Sequence, residues 1–156
     1  MALRLTSTSF ADEAEIPVTH TCEGNDLSPP LSWIDAPAGT KSFALTLDDP
    51  DAPDPRAPEI RWVHWVLYNL PPDLKQLKEG VTSLPAGALE GRNGWGATGY
   101  RGPCPPIGRH RYFHKLYALD LVLPDLRTPD EAALEKAMQG HILAQATLLG
   151  TYQKKK

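Results

Sequence analysis

The pattern of apolar and polar positions divides the chain into a few long apolar runs separated by turn-rich segments. Runs rich in β-branched, aromatic and aliphatic residues, without a helical stripe, predict strands at 42–48, 61–70 and 110–123. The run around His64 carries tryptophans on both faces, which favours a central strand covered on both sides. Weaker alternation at 3–8 predicts an edge strand, and the run at 141–152 predicts a last strand, with a short helix left open.

Local signals indicate where two of these elements begin and end. Asp49 directly precedes Pro50. Because a residue before proline is held extended and aspartate commonly caps turns, the strand at 42–48 is predicted to stop there. Thr128, Pro129 and Glu131 form a capping-box pattern, which predicts a helix that begins at Pro129 and ends near Gln139. On that helix, one face would pack on the sheet through Leu134, Ala137 and Met138.

Composition narrows the class of protein. The 156 residues include 16 prolines and 12 glycines, which favours a β-rich architecture with shaped loops over a helix bundle. The length, without repeats or a linker, predicts a single domain over 1–156. A net charge of −3 without a basic patch does not indicate a nucleic-acid partner. No apolar run has the length of a signal peptide or membrane span, which predicts a cytoplasmic protein without integral membrane association.

Two cysteines, Cys22 and Cys104, lie far apart in the sequence. They lack the close spacing of a metal-binding knuckle. In a cytoplasmic protein this favours two free thiols and leaves a disulfide open.

The segment 99–120 combines a rigid loop with a buried strand. Its first ten positions are dense in glycine and proline, which excludes a helix or a regular strand. The loop delivers His110 to the start of the strand. In an extended chain His110 and Tyr112 point to one face, whereas Arg109 and Arg111 point to the other. Loop and strand are therefore predicted to form one wall of a pocket.

Three polar residues occupy apolar or constrained contexts: Asp49, His64 and His110. Each alone is more often structural. An aspartate at a strand end is usually a turn cap, and a buried histidine is usually satisfied by the core. Their combination indicates a site only if the fold brings them together.

Four segments, in order along the chain, resemble the phosphatidylethanolamine-binding protein family and, within it, the bacterial branch similar to Raf kinase inhibitor proteins. They are CEGNDLSPPLSW at 22–33, DPDAP at 49–53, WVHW at 62–65, and the loop and strand with GPCPP and GRHRY. The similarity covers nearly the whole chain and includes the closing GTY.

The resemblance implies a mainly β fold, in which a large antiparallel sheet packs on a smaller one, plus a C-terminal helix. It also implies a small pocket at one end of the sheet that accepts phosphate and other anions. Carried onto this sequence, the pocket's polar groups are Asp49, His64, His110 and Tyr112. The rim would consist of Pro53, Gly102, Pro103 and Pro105.

The chemistry of these residue types suits binding. Two imidazoles can each donate a hydrogen bond to a phosphate oxygen, and Asp49 would orient and charge one of them. No GxSxG, HExxH or phosphate-binding P-loop motif is present. The first hypothesis is a non-enzymatic protein without a cofactor that binds phosphate, phosphorylated ligands or phospholipid head groups.

Two other hypotheses belong to different classes. Family analogy suggests a modulator of a kinase or another signalling partner through protein–protein contact. A metal-dependent hydrolase would instead use Asp49, His64 and His110 as ligands, since two histidines and one carboxylate can hold zinc or iron. Homo-oligomerisation stays open.

Overall fold

The computed structural model describes residues 2–155, which form two β-sheets and one α-helix. The first strands are β1 (Arg4–Thr6), β2 (Ala14–Glu15), β3 (Leu31–Ile34), β4 (Ser42–Ala52) and β5 (Ile60–Leu70). They are followed by β6 (Gln76–Leu77), β7 (Leu89–Glu90), β8 (His110–Leu119), the helix α1 (Glu131–Met138) and β9 (Ile142–Tyr152). A single 3₁₀ turn occupies Val18–His20.

The larger sheet has the strand order β2-β9-β8-β4-β5-β7, and all its pairs are antiparallel except the short pair of β2 with β9. The smaller sheet has the order β1-β3-β6. These sheets and the helix confirm the predicted fold class. Long strands on either side, β5 and β8, make β4 the centre of the larger sheet.

The larger sheet is covered on both faces, as the apolar runs predict. Alternate residues of β4, such as Leu45 and Leu47, join Trp33 of the smaller sheet in one core. On the opposite face, Leu134 and Met138 of α1 are fully buried in a second core. This confirms the predicted face of the helix.

The strand β4 is longer than predicted. It was expected to end at Asp48, yet it continues to Ala52 through Pro50. The reason is tertiary, since Asp49 still pairs with Trp62 and Ala52 with Ile60 on β5.

The predicted first turn of the helix is wrong by two residues. The N-cap is Asp130, whose side chain accepts a hydrogen bond from the Ala133 amide at 2.8 Å. Thr128 has φ of +51° and lies before the helix. Aspartate caps a helix at least as well as threonine, and with Asp130 as the cap the helix begins at Glu131.

The last run forms β9, which pairs with β8 along its length, so the strand prediction is confirmed over the helix alternative. Among the described residues, no helix is long and apolar enough to cross a membrane.

Candidate functional site

A cavity of about 400 Å³ opens where β4, β5 and β8 meet the loops that precede and follow them. Six of the eight residues predicted for the site line it: Asp49, Pro53, His64, Pro105, His110 and Tyr112. The other two, Gly102 and Pro103, are buried but are not part of its lining. The fold thus gathers the polar residues from β4 and β5, which are consecutive, and from β8, which lies far from them in the sequence.

An irregularity in the pairing of β4 with β5 introduces His64. Leu47 lies opposite Trp65, but the next residue, Asp48, lies opposite Val63. His64 is therefore an extra residue on β5. Bulges of this kind re-aim a side chain, and here the side chain becomes part of the cavity.

Asp49 and His110 form a buried pair at the floor of the cavity, 3% and 0% exposed. Asp49 Oδ2 lies 2.5 Å from His110 Nδ1, and Asp49 Oδ1 accepts a hydrogen bond from the Asp51 amide at 2.7 Å. Burial raises the pKa of Asp49, against the lowering effect of the His110 hydrogen bond. A carboxylate and a ring lone pair would repel at this distance, so a proton must lie between Oδ2 and Nδ1.

The other nitrogen of His110 is also engaged. Its Nε2 faces the carbonyl oxygens of Ile107 at 2.8 Å and Pro53 at 3.1 Å. Carbonyls only accept, so Nε2 carries a hydrogen. The pair with Asp49 therefore has no net charge, and it ties the loop before β8 to the end of β4.

These contacts limit what His110 can do. In hydrolytic triads an aspartate orients a histidine whose second nitrogen faces a nucleophile. Here that nitrogen faces Pro53 and Ile107 instead. His110 has no nitrogen left to act as a base or to donate to a ligand, which revises the expectation that both imidazoles hold an anion.

His64 is buried but chemically available. Its Nδ1 donates to the Arg101 carbonyl at 2.6 Å, which leaves a lone pair on Nε2 of the neutral ring. Burial lowers the pKa of His64 to about 4, so the ring is neutral at physiological pH. The ring lies edge-on to both Trp95 and Tyr112, with centroids 5.3 and 5.4 Å away.

The hydroxyl of Tyr112 is the unsatisfied group of the cavity. Its oxygen is buried and makes no hydrogen bond of good geometry among the described residues, although the Asp49 carboxyl group lies near enough to act on it. Burial, and secondarily the Asp49 carboxylate, raises the pKa of Tyr112 far above its usual range. The hydroxyl therefore keeps its proton and can donate it to a hydrogen bond.

Aromatic residues form the cavity wall that the sequence reasoning missed. Trp62 and Trp95 meet edge to face, with ring centroids 5.3 Å apart. Trp95 and Ile60 are 39% and 53% exposed. Trp62 could have been included, because it belongs to the WVHW segment. Trp95 lies in a glycine-rich segment and gave no such signal.

The rim of the cavity is fastened by a disulfide between Cys22 and Cys104, so the expectation of two free thiols is wrong. The sequence spacing could not reveal it, since the two cysteines meet only after folding. A backbone bond from the Cys22 amide to the Pro103 carbonyl, at 3.1 Å, joins the same two segments. Disulfides persist mainly in oxidising compartments, and the cytoplasmic location stays a prediction.

Gly102 has a structural reason for its place in this rim. Its amide donates to Asp26 Oδ1 at 2.9 Å, and an added Cβ would overlap the carbonyl oxygen of His20. Only glycine permits this close approach of two backbones. Gly102 thus holds the rim loop rather than offering its amide to a ligand.

The proposed metal ligands do not come together as a ligand set. Within residues 2–155 no group of three or more histidine, cysteine, aspartate or glutamate side chains is arranged to hold a metal ion. Nδ1 of His110 is bonded to Asp49, and Nε2 of His110 faces the carbonyl oxygens of Pro53 and Ile107. Neither nitrogen is therefore left to bind a metal ion.

Comparison with known proteins decides the family. The family model for phosphatidylethanolamine-binding protein matches residues 6–153. The chain belongs to this family. The resemblance seen in its four segments is thereby confirmed.

Three relatives of this family member are similar over nearly their whole length. A protein of Methanothermobacter thermautotrophicus, named UPF0098 protein, is 46% identical, covering 97% of this chain and 99% of its own. The crystal structure of a putative family homologue from Chlamydia trachomatis has a TM-score of 0.91 and 43% identity, covering 99% of each chain. Escherichia coli YbcL, another family member, has a TM-score of 0.89 and 32% identity, covering 99% of this chain and 100% of its own.

Proposed function

We propose that the cavity binds a small molecule through a phosphate or comparable anionic group, as on a phosphorylated metabolite or a phospholipid head group, without reacting with it. The observation that carries this proposal is the buried, unpartnered hydroxyl of Tyr112 at the cavity. Leaving such a donor unsatisfied costs about 1–3 kcal/mol. A ligand oxygen would satisfy it.

His64 and Tyr112 complement a phosphate that carries one proton. Tyr112 donates to a phosphate oxygen, while the lone pair on His64 Nε2 accepts from the P–OH group. If the proton instead resides on His64, the imidazolium donates to the same oxygen with a stronger, charge-assisted bond. Both arrangements contain the same number of protons.

The affinity should therefore depend on pH. A phosphate monoester keeps its last proton below about pH 6, and the pKa of unliganded His64 is about 4. Above about pH 6 the complex must take a proton from solvent, so affinity falls by up to about tenfold for each further pH unit.

The surroundings favour a ligand with an apolar part. Trp62 and Trp95 line the cavity, together with prolines of both rim loops. Ordinary ligand pockets have such a wall with a few polar groups for orientation. The body of the ligand would lie against these tryptophans.

The residues at the cavity agree with a ligand that is bound and does not react. The sulfur at the cavity belongs to Cys104 and is tied up in the disulfide. His110, the residue best placed by its Asp49 partner to be a base, has both nitrogens occupied. A kinase or other signalling partner stays a prediction from family analogy.

Isothermal titration of two anions across about pH 5 to 8 tests the proposal. Ethyl phosphate should bind with an affinity that is level below about pH 6 and falls above it. Sulfate cannot supply a proton in this range, so it needs the imidazolium of His64. Its affinity should keep rising towards about pH 4, the pKa of His64.

The variant His64→Gln should abolish the pH dependence of sulfate binding. His114→Gln is the matched control, because His114 is also buried with a pKa of about 4 and a 3.1 Å contact to a backbone carbonyl, but does not line the cavity. Binding of neither anion to the unmodified protein would overturn the proposal. So would a sulfate pH profile that His64→Gln leaves unchanged.

A further inference from the structure

A second cleft, of about 410 Å³, lies beside the cavity. It is lined by Cys22, Asp26, Trp95, Arg101, Gly102 and Cys104. Two of these residues, Trp95 and Cys104, also line the cavity. The two spaces are therefore neighbours on either side of a shared wall.

Arg101 is the cation of this cleft, and its backbone is held firmly. Its amide donates to the His64 carbonyl at 3.2 Å, and its carbonyl accepts from His64 Nδ1 at 2.6 Å. The next residue, Gly102, is bonded to Asp26. The guanidinium lies over the Trp95 ring, with Cζ 5.2 Å from the centroid. Trp95 therefore contacts both the ring of His64 and the guanidinium of Arg101.

The charge of Arg101 is open to a ligand. Its side chain is exposed, and across residues 2–155 no carboxylate oxygen lies within ion-pair distance, 4.0 Å, of its guanidinium. Asp26 acts on it electrostatically from farther away, with Oδ1 engaged by the Gly102 amide. A guanidinium presents forked donors that match a carboxylate or phosphate.

The cavity itself contrasts with this cleft. Its lining within the described chain contains no lysine or arginine, and it includes the carboxyl groups of Asp49 and Glu59. A ligand with a second negative charge would find no cation there. Among the residues of the two linings, Arg101 is the one arginine or lysine, and it contacts Trp95, which both linings share.

We infer that the cleft is a second anionic subsite, in which Arg101 binds a carboxylate or phosphate of a ligand whose first anionic group contacts Tyr112 and His64. The inference rests on the proposed function and specifies the ligand class: a two-ended dianion whose spacer packs on Trp95. A ligand with an ammonium group at that end is repelled by the guanidinium.

Matched phosphonates test this subsite by titration calorimetry. A series of ω-phosphonoalkanoates of increasing length is compared with alkylphosphonates and ω-aminoalkylphosphonates of the same lengths. At the best length, the carboxylate compound should bind at least about tenfold more tightly than the alkyl compound, as expected for a charge-assisted contact. The amino compound should bind more weakly than the alkyl compound.

Arg101→Ala should remove the preference for the carboxylate while alkylphosphonate affinity stays within about twofold, and Arg101→Lys should keep part of it. Arg4→Ala is the control, since Arg4 is another exposed arginine without an ion pair among the described residues, on the smaller sheet. A carboxylate preference that survives Arg101→Ala, or a loss of alkylphosphonate binding in that variant, would refute a separate subsite and leave the proposed function standing. If no alkylphosphonate binds the unmodified protein, both proposals fail.

Discussion

Two neighbouring aspartates on β4, Asp48 and Asp49, are both buried, yet they enter opposite environments. Asp49 faces the cavity and pairs with His110. Asp48 faces α1, where it contacts Lys115 at 3.1 Å and lies beside Glu131. We call these the cavity face, with Asp49, His110 and Tyr112, and the helix face, with Asp48, Glu131, Arg61 and Lys115.

The helix face pairs its charges internally, although neither carboxyl oxygen of Glu131 makes a hydrogen bond of good geometry. Arg61 Nε lies 3.0 Å from Glu131 Oε1 and 4.0 Å from Asp48 Oδ2. Burial, and next the Asp48 carboxylate, raises the pKa of Glu131 to about 8, so this carboxyl is protonated near neutral pH. With Glu131 protonated, the positive charges of Lys115 and Arg61 are matched by the carboxylates of Asp48 and of Glu135, which lies 3.1 Å from Arg61. None of these residues lines the cavity or the second cleft.

The cavity face balances its charge in a different way. Asp49 and His110 neutralise each other, but the adjacent Tyr112 hydroxyl has no partner. The comparison teaches that burial of an acid says little about function. What distinguishes a binding site is the polar group that the protein leaves unsatisfied beside an open space.

Removing His110 should produce the largest effect. His110→Ala breaks a buried pair and frees the contacts to Pro53 and Ile107, so we expect a loss of about 3–5 kcal/mol in the free energy of unfolding. Urea denaturation measures it. The control is His141→Ala, which breaks a half-exposed contact of 2.9 Å with Asp120 and should cost about 0.5 kcal/mol. Equal losses in the two variants would contradict the role given to His110.

Glu131→Gln probes the helix face. Because the pKa of Glu131 rises from 4.5 to about 8 on folding, the folded protein holds a proton that the unfolded chain releases between these values. Stability contributed by that proton is complete at low pH and is lost as the pH rises through about 8.

We therefore expect the free energy of unfolding to fall by about 2–4 kcal/mol between about pH 5 and pH 9, and Glu131→Gln to remove most of this fall. Glu135→Gln should keep it, since Glu135 is a half-exposed partner of Arg61 at 3.1 Å. Phosphate binding should be unaffected by both changes. An unchanged pH slope in Glu131→Gln would show that the buried acids are not the cause.

The sequence predicts where the long strands lie because each has its own apolar pattern, although β8 ends at Leu119 and not at position 123 as predicted. The runs that became β4, β5 and β8 are covered on both faces, as their patterns indicate. At the ends of two of these apolar runs, the predicted strand boundaries were wrong. Local rules stopped β4 at Asp48, but pairing with Trp62 and Ile60 carries the strand to Ala52.

The polar members Asp49, His64, His110 and Tyr112 could be named from the family segments, but Trp95 and the roles of the polar groups could not. Asp49 was expected to orient a histidine, and its partner proves to be His110. Which nitrogens stay free depends on carbonyls of Pro53, Arg101 and Ile107. Backbone carbonyls have no sequence signature, and neither does the pairing of Cys22 with Cys104.

The smallest expected change in stability gives the most direct test, through a pair of tyrosines. Tyr112→Phe deletes an unpartnered hydroxyl on the cavity face. Tyr68→Phe deletes one that accepts from the Leu126 amide at 3.0 Å, in the core beneath α1. Each variant is measured for urea unfolding and for ethyl phosphate binding.

Tyr112→Phe should weaken binding by about tenfold or more while the free energy of unfolding stays level or rises by up to about 1 kcal/mol. Tyr68→Phe should lose about 1 kcal/mol of stability and bind as before. The account is contradicted if Tyr112→Phe binds ethyl phosphate as the unmodified protein does, or if the two variants lose the same stability.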